Sequence, residues 1–191
     1  MTAERAYVPR MAQSEAQLTA EELYDLHIPD KHVELVRGVL VVREPPGGRH
    51  GRIALNIAVE LANHVRAHQL GVVYAAETGF TLARGPDTVR APDAAFIRRE
   101  RLPTPEPIKY PDLAPDLVVE VLSPGDRPGE TLAKVADWLS AGTRLVWVID
   151  PERRVARVYR QDGSEAIVTE NDALGGEGVV PGFACLLSAI L

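Results

Sequence analysis

The chain has 191 residues, 46% hydrophobic and 25% charged, which is globular rather than disordered and enough for one domain with a proper core. A net charge of −6 argues against a protein that coats DNA irrespective of sequence. The single cysteine, Cys185, excludes an internal disulfide, and no leader-like or membrane-length apolar run is present, so a soluble cytoplasmic protein is expected.

Along the chain, residues 1–13 lack periodicity and read as a loose terminus. Thr19 and Glu22 have the spacing of a capping box, which opens a short helix through Leu23 and Leu26. Residues 33–42 read as two strands around a turn at Arg37-Gly38, and Pro45-Pro46-Gly47-Gly48 stops them. A helix follows over residues 50–68, with Ile53, Ile57, Leu61 and Val65 as its apolar stripe. Strands are expected at 72–76, 79–82 and 94–97. The proline-rich stretch 102–115 then reads as a surface loop. A strand through Glu120, a helix over 129–141 and a strand over 145–149 form a βαβ crossover. Residues 155–159 look like a further strand, and 179–183 like a short last strand closing the sheet. The expected architecture is α/β (α+β), a mixed β-sheet flanked by helices, in one domain over 1–191 with its core over about 33–160.

Charge is unevenly spread. Residues 31–109 carry 12 basic and 8 acidic side chains, against 7 and 13 over 110–191. A local basic face is therefore conceivable, with Arg37, Arg43, Arg49, Arg52, Arg84 and Arg90 as candidates; ordinary solvated charge is the alternative.

Two carboxylates stand where strands should bury apolar groups. Glu120 interrupts Leu117-Val118-Val119-Glu120-Val121-Leu122, and Asp93 leads into Ala94-Ala95-Phe96-Ile97. An uncompensated buried carboxylate costs several kcal/mol, so a shared positive charge is sought; a glutamate held by arginine or backbone within the sheet is the bland alternative. The chain has 18 arginines and only 3 lysines, and one of these, Lys134, falls on the helix after the Glu120 strand. Arginine being the default cation, a lysine there reads as a wanted point charge rather than incidental surface.

Taken in order, Glu34-Leu35-Val36-Arg37-Gly38, Pro46 with His50, Gly79-Phe80, Ala91-Pro92-Asp93-Ala94-Ala95-Phe96, Glu120-Val121-Leu122-Ser123-Pro124, Lys134, and Val146-Trp147-Val148-Ile149-Asp150-Pro151 resemble the Uma-type branch of the PD-(D/E)XK nuclease superfamily, a branch of restriction endonucleases. The resemblance spans roughly residues 33–160. It implies a restriction-endonuclease-like fold and a site built from Asp93, Glu120 and Lys134. The superfamily's lysine position, two residues after the glutamate, is here Leu122; in this branch the lysine is displaced to the next helix, where Lys134 stands. Glu34 resembles the branch's N-terminal acidic residue. Two departures are Glu130 for an aspartate and Trp138 for a tyrosine.

Asp93 and Glu120 are hard oxygen donors suited to Mg²⁺ or Mn²⁺, and the resemblance adds the Val121 backbone carbonyl as a further metal ligand. Lys134 would orient water or stabilise the transition state, and Glu34 would hold a second metal or position Lys134, unless it is a strand-surface glutamate near Arg37. The reading is a metal-dependent nuclease hydrolysing DNA phosphodiester bonds, as a monomer or a two-fold homodimer. Its rivals are a catalytically silent nucleic-acid-binding or protein-interaction module on the same fold, and a glycosidase using Asp93 with Glu120. His64 and His68 are four apart but have no third ligand in sequence, and His50 is either a phosphate contact or a structural helix-start residue.

Overall fold

Aliphatic and β-branched runs separated by turns make this chain a set of short strands, and two long amphipathic segments supply the helices that cover them. The computed structural model describes residues 17–191, and the terminus read as loose, 1–13, lies outside them. The first element is α1 (Ala20–Asp25), opened by the capping box: the Glu22 amide donates to Thr19 Oγ1 at 3.2 Å and the Thr19 amide to Glu22 Oε2 at 2.8 Å. Strands β1 (His32–Val36) and β2 (Val39–Arg43) form a hairpin whose turn residues Arg37 and Gly38 have φ of 50° and 77°. A two-residue turn with both φ positive matches the twist of the strands it joins. Gly38 is also needed for space, because a Cβ there would lie 2.6 Å from the Gln17 Cβ.

Helix α2 (Gly48–Ala67) begins two residues earlier than the sequence predicts, directly after the prolines. It leads through β3 (Gly71–Ala75), β4 (Phe80–Ala83), β5 (Thr88–Arg90) and β6 (Ala94–Arg98) to β7 (Leu117–Val121). Then come α3 (Pro128–Ser140), β8 (Leu145–Asp150), β9 (Val155–Arg160), β10 (Glu165–Thr169), β11 (Ala173–Gly175), β12 (Ala184–Leu186) and α4 (Leu187–Ile190).

The strands divide between three sheets rather than the single one expected. The largest has the order β10-β9-β8-β7-β6-β3 and is antiparallel except for β7 with β8, the parallel pair joined through α3. That is the predicted βαβ crossover, and it makes the sheet mixed. A smaller antiparallel sheet runs β2-β1-β5-β4, and β11 with β12 forms a ribbon. The strand predicted at 179–183 is turn structure; the last strand is β12, which pairs with β11 and does not extend the main sheet. Strands β5, β11 and β12 are three residues each, too short for a period-2 signal to register in sequence.

Helix α2 lies on one face of the large sheet, its Ile53, Ile57, Leu61 and Val65 packed with Phe96, Leu117, Val119, Trp147 and Ile149. Helix α3 covers the other face, placing Val135 and Trp138 against Phe80, Ile97, Val118 and Val146. A third small core joins α1 to the smaller sheet through Leu23, Leu35 and Val89. Among the described residues, no helix is long and apolar enough to cross a membrane.

Core depth along α2 gives a direct test. Ile57 is 0% exposed and Leu55 is 63% exposed. Ile57→Ala should lower unfolding free energy by about 2–5 kcal/mol in a urea titration, whereas Leu55→Ala should change it by about 0.5 kcal/mol or less.

Candidate active site

Strand β7 is buried along its whole length. Leu117, Val119 and Val121 face α2, and Val118 faces α3. The two-residue period of a strand therefore turns Glu120 toward α3. There Glu120 Oε2 accepts from Lys134 Nζ at 2.8 Å and Oε1 from Trp138 Nε1 at 2.9 Å. Lys134, Asp137 and Trp138 stand three and four residues apart, which is one face of a helix. Trp138 thus does more than fill core space: its indole N–H orients the glutamate. Leu122, at the superfamily's lysine position, packs against the α3-side core.

Glu34 arrives from β1 in the smaller sheet. Its Oε1 lies 3.2 Å from Lys134 Nζ and accepts from the Ala91 amide at 2.9 Å, while Oε2 accepts from Arg90 Nη1 at 2.9 Å. Lys134 Nζ also donates to the Ala91 carbonyl at 3.0 Å. The option of a strand-surface glutamate near Arg37 is overturned: Glu34 is 5% exposed and its arginine partner is Arg90. Arg90 in turn leaves the list of basic-face candidates, because it too is 5% exposed. Its Nε and Nη2 donate to Asp137 Oδ2 at 3.0 and 2.6 Å. Arg90 and Asp137 were not recognised as site residues from sequence. The available signal was helical spacing, which puts Asp137 one turn beyond Lys134.

Asp93 sits at the entry to β6, where its amide donates to the Val119 carbonyl at 3.0 Å. The same pairing brings its carboxylate to the end of β7, and Oδ2 accepts from the Val121 amide at 2.6 Å. His50, in the first turn of α2, places Nε2 3.3 Å from Asp93 Oδ2. Its other ring nitrogen, Nδ1, is buried without a hydrogen-bond partner. The fold thus gathers all four predicted side chains: Glu34, Lys134 and Glu120 in direct contact, and Asp93 joined to them through the end of β7. With His50 and Val121 they line one cleft of about 910 Å³.

The electrostatics follow from burial and from an excess of acid. Among the described residues, Glu34, Glu120 and Asp137 pair with two permanent cations, Lys134 and Arg90, and Asp93 pairs with His50. Burial raises the Glu120 pKa, Lys134 opposes this, and Asp93 and Glu34 add to it, for a result of about 7. Burial pulls Lys134 down, but Glu120 and Glu34 outweigh it and leave the ammonium firmly charged. For Glu34 burial raises the pKa, and Lys134, Arg90 and the Ala91 amide bring it below the usual carboxylate value. Burial likewise lowers His50, and Asp93, by hydrogen bond and charge, takes it above its ordinary value.

The expected basic face is largely consumed by internal partners. Arg43 reaches Glu130 at 3.4 Å and Asp126 at 3.8 Å, so Glu130 belongs to the cleft rim. Arg84 is held by Glu21, Asp87 and Asp112, and Arg49 bonds the Pro151 carbonyl. His64 lies apart from the cleft, its Nε2 2.9 Å from the Pro181 carbonyl oxygen, and stacks on His68. Among the described residues, no three His, Cys, Asp or Glu side chains are grouped closely enough to hold a metal ion by themselves.

The model of the Uma2 family, described as "Putative restriction endonuclease", matches residues 20–188. The chain belongs to the Uma2 family. A crystal structure of a "putative nuclease belonging to DUF820" from Anabaena variabilis superimposes with a TM-score of 0.79 at 20% identity, covering 91% of this chain and 97% of that one. The restriction-endonuclease-like mixed sheet expected from sequence is the fold this Uma2 chain adopts. No curated protein matches it.

The buried glutamate makes stability depend on pH. The ordinary value is 4.5 and the folded value about 7, so between them the folded state binds a proton that the unfolded state has released. Stability of the metal-free protein should fall as pH rises across this window. Glu34, with a lowered value, acts below 4.5, and His50, raised from 6.5, adds a fall of the same sign only from there upward. Urea midpoints at about pH 5 and pH 6 should therefore differ in the native protein and converge in Glu120→Gln.

Proposed function

We propose that this Uma2 protein is a metal-dependent endonuclease that hydrolyses DNA phosphodiester bonds, with Asp93 and Glu120 as metal ligands and Lys134 as the residue that acts on the reacting phosphate. The observation that carries this is Lys134 Nζ held 2.8 Å from Glu120 and 3.2 Å from Glu34 beside Asp93, at the wall of an open cleft. A lysine trapped among carboxylates would be ordinary in a core; one lining a cleft of about 910 Å³ has room for a substrate beside it.

The donor chemistry fits a hard divalent cation. Asp93 and Glu120 supply carboxylate oxygens, and the backbone carbonyl of Val121, the residue after Glu120, is the further donor of this reading. A carboxylate-rich cleft suits Mg²⁺ or Mn²⁺, and burial raises the Glu120 pKa, with Asp93 and Glu34 adding to it against Lys134. When bound, such an ion would polarise a phosphate oxygen and acidify a water. The protein's own residues do the rest. Lys134 presents a fixed positive charge for the pentacovalent phosphorane, Glu34 holds that lysine in place, and Trp138 fixes the rotation of the Glu120 carboxylate.

DNA is the substrate this reading favours, with specificity coming from loops around the cleft or from a two-fold dimer, and the setting is cytoplasmic. The second reading is a silent nucleic-acid-binding module. It is favoured by one observation: both Glu120 oxygens already accept hydrogen bonds, and no three-residue metal cluster is preassembled among the described residues.

Calorimetric titration of Mn²⁺ and nicking of supercoiled plasmid separate the two. Glu120→Gln and Asp93→Asn should abolish both metal binding and nicking. Lys134→Ala should keep metal binding and lose about 100- to 1,000-fold in kcat, the loss typical of removing one preorganised transition-state contact. A native protein that binds no Mn²⁺, with or without DNA, would leave the silent module standing.

A further inference from the structure

Arg90 has no part in the two-carboxylate and lysine site as read from sequence, yet it is buried and held by two carboxylates. It lies on β5, between the strand that carries Glu34 and β4, and is 5% exposed. One edge of its guanidinium donates to Glu34 Oε2 at 2.9 Å, and the other places Nε and Nη2 on Asp137 Oδ2 at 3.0 and 2.6 Å. The planar fork therefore ties β1 to α3 across β5. A lysine in its place would offer a single point charge and could not span both carboxylates with that geometry.

The residue that gains from this bridge is Lys134. Its ammonium has three hydrogens and three oxygen neighbours: Glu34 Oε1 at 3.2 Å, the Ala91 carbonyl at 3.0 Å and Glu120 Oε2 at 2.8 Å. Two of these are set by Arg90 or its neighbour. Arg90 takes the other oxygen of Glu34, and the Ala91 backbone, one residue on, donates to Glu34 and accepts from Lys134. The third contact to α3, at Asp137, fixes the helix that carries the lysine.

We propose that Arg90 is a positioning residue for Lys134: it neutralises Glu34 and anchors α3 through Asp137, so that the ammonium is shared with Glu120 instead of collapsing onto Glu34. As a statement about catalysis this rests on the endonuclease reading; as a statement about where the lysine stands it does not. Without Arg90, Glu34 keeps the Ala91 amide and, among the described residues, Lys134 as its one neighbouring cation.

The chain contains three lysines, Lys31, Lys109 and Lys134, so selective ¹⁵N labelling of lysine side chains yields a spectrum simple enough to follow one of them. The Lys134 Nζ resonance is assigned by its loss in Lys134→Arg. In Arg90→Gln that resonance should shift or vanish through exchange, while Lys31 and Lys109 stay in place. In the double variant Arg90→Gln/Glu34→Gln, with the unpaired charge gone, it should return toward its native position. Plasmid nicking by Arg90→Gln should fall about 100-fold in kcat, the scale of a misplaced reacting group, with KM changed by about threefold or less. The double variant should recover at least about tenfold of that loss, and Arg90→Lys less.

An unmoved Lys134 resonance in folded Arg90→Gln, or a double variant no better than the single one, would overturn the proposal in favour of a purely structural clamp. If Arg90→Gln does not fold, Asp137→Asn keeps the Arg90 to Glu34 pair and removes only the anchor on α3; an unchanged Lys134 signal there would be equally fatal. Failure of the endonuclease reading is seen separately, as absence of nicking by the native protein, and the resonance comparison still decides the role of Arg90.

Discussion

An ammonium group with two hydrogen-bond acceptors and a third oxygen at ion-pair distance is the constraint around which this protein is organised. Lys134 comes from α3, and its acceptors come from β1, from the segment joining β5 to β6, and from β7. No two of these neighbours in the site belong to one continuous element, so the contact joins the smaller sheet, the larger sheet and the covering helix at one point. Buried ion pairs are poor sources of stability, since desolvation consumes most of the attraction. Their value lies in geometry, and here the geometry holds a charge at the wall of a cleft.

The same logic explains the local imbalance. A core built only for stability would match each buried acid with a donor or a base, yet burial, with Asp93 and Glu34 adding to it, holds the Glu120 pKa at about 7 in spite of Lys134. From α2, His50 reaches the same cleft, with its Nε2 3.3 Å from Asp93 Oδ2.

Most of what was legible in sequence was legible because it interrupted a pattern. Glu120 within a β-branched run, and Lys134 in a chain that otherwise favours arginine, are visible without a structure. The crossover β7-α3-β8 was readable because each of its elements is long enough to show a period. What escaped were short strands and long-range partners. Strand β5 is three residues, and Arg90 at its end looked like any surface arginine of the basic middle segment. Its burial depends on β1 and β4 pairing on either side of it, and on α3 descending onto it, contacts 47 and 56 residues away. No local periodicity encodes those. The division into separate sheets was hidden for a related reason: strand runs carry a record of their own period but not of which neighbour they join.

Glu34 enters the chain about a hundred residues before Lys134. During synthesis three of the acids, Glu34, Asp93 and Glu120, are therefore made first, while Lys134 arrives only with α3 and Asp137 follows it on the same helix. Until then the junction between the two sheets holds carboxylates that repel one another, with Arg90 alone between them. A growing chain can complete the hairpin of β1 with β2 and much of the large sheet, but it has no reason to draw Glu34 against Glu120. A product that ends before α3 therefore carries Glu34, Asp93 and Glu120 without the lysine that contacts two of them.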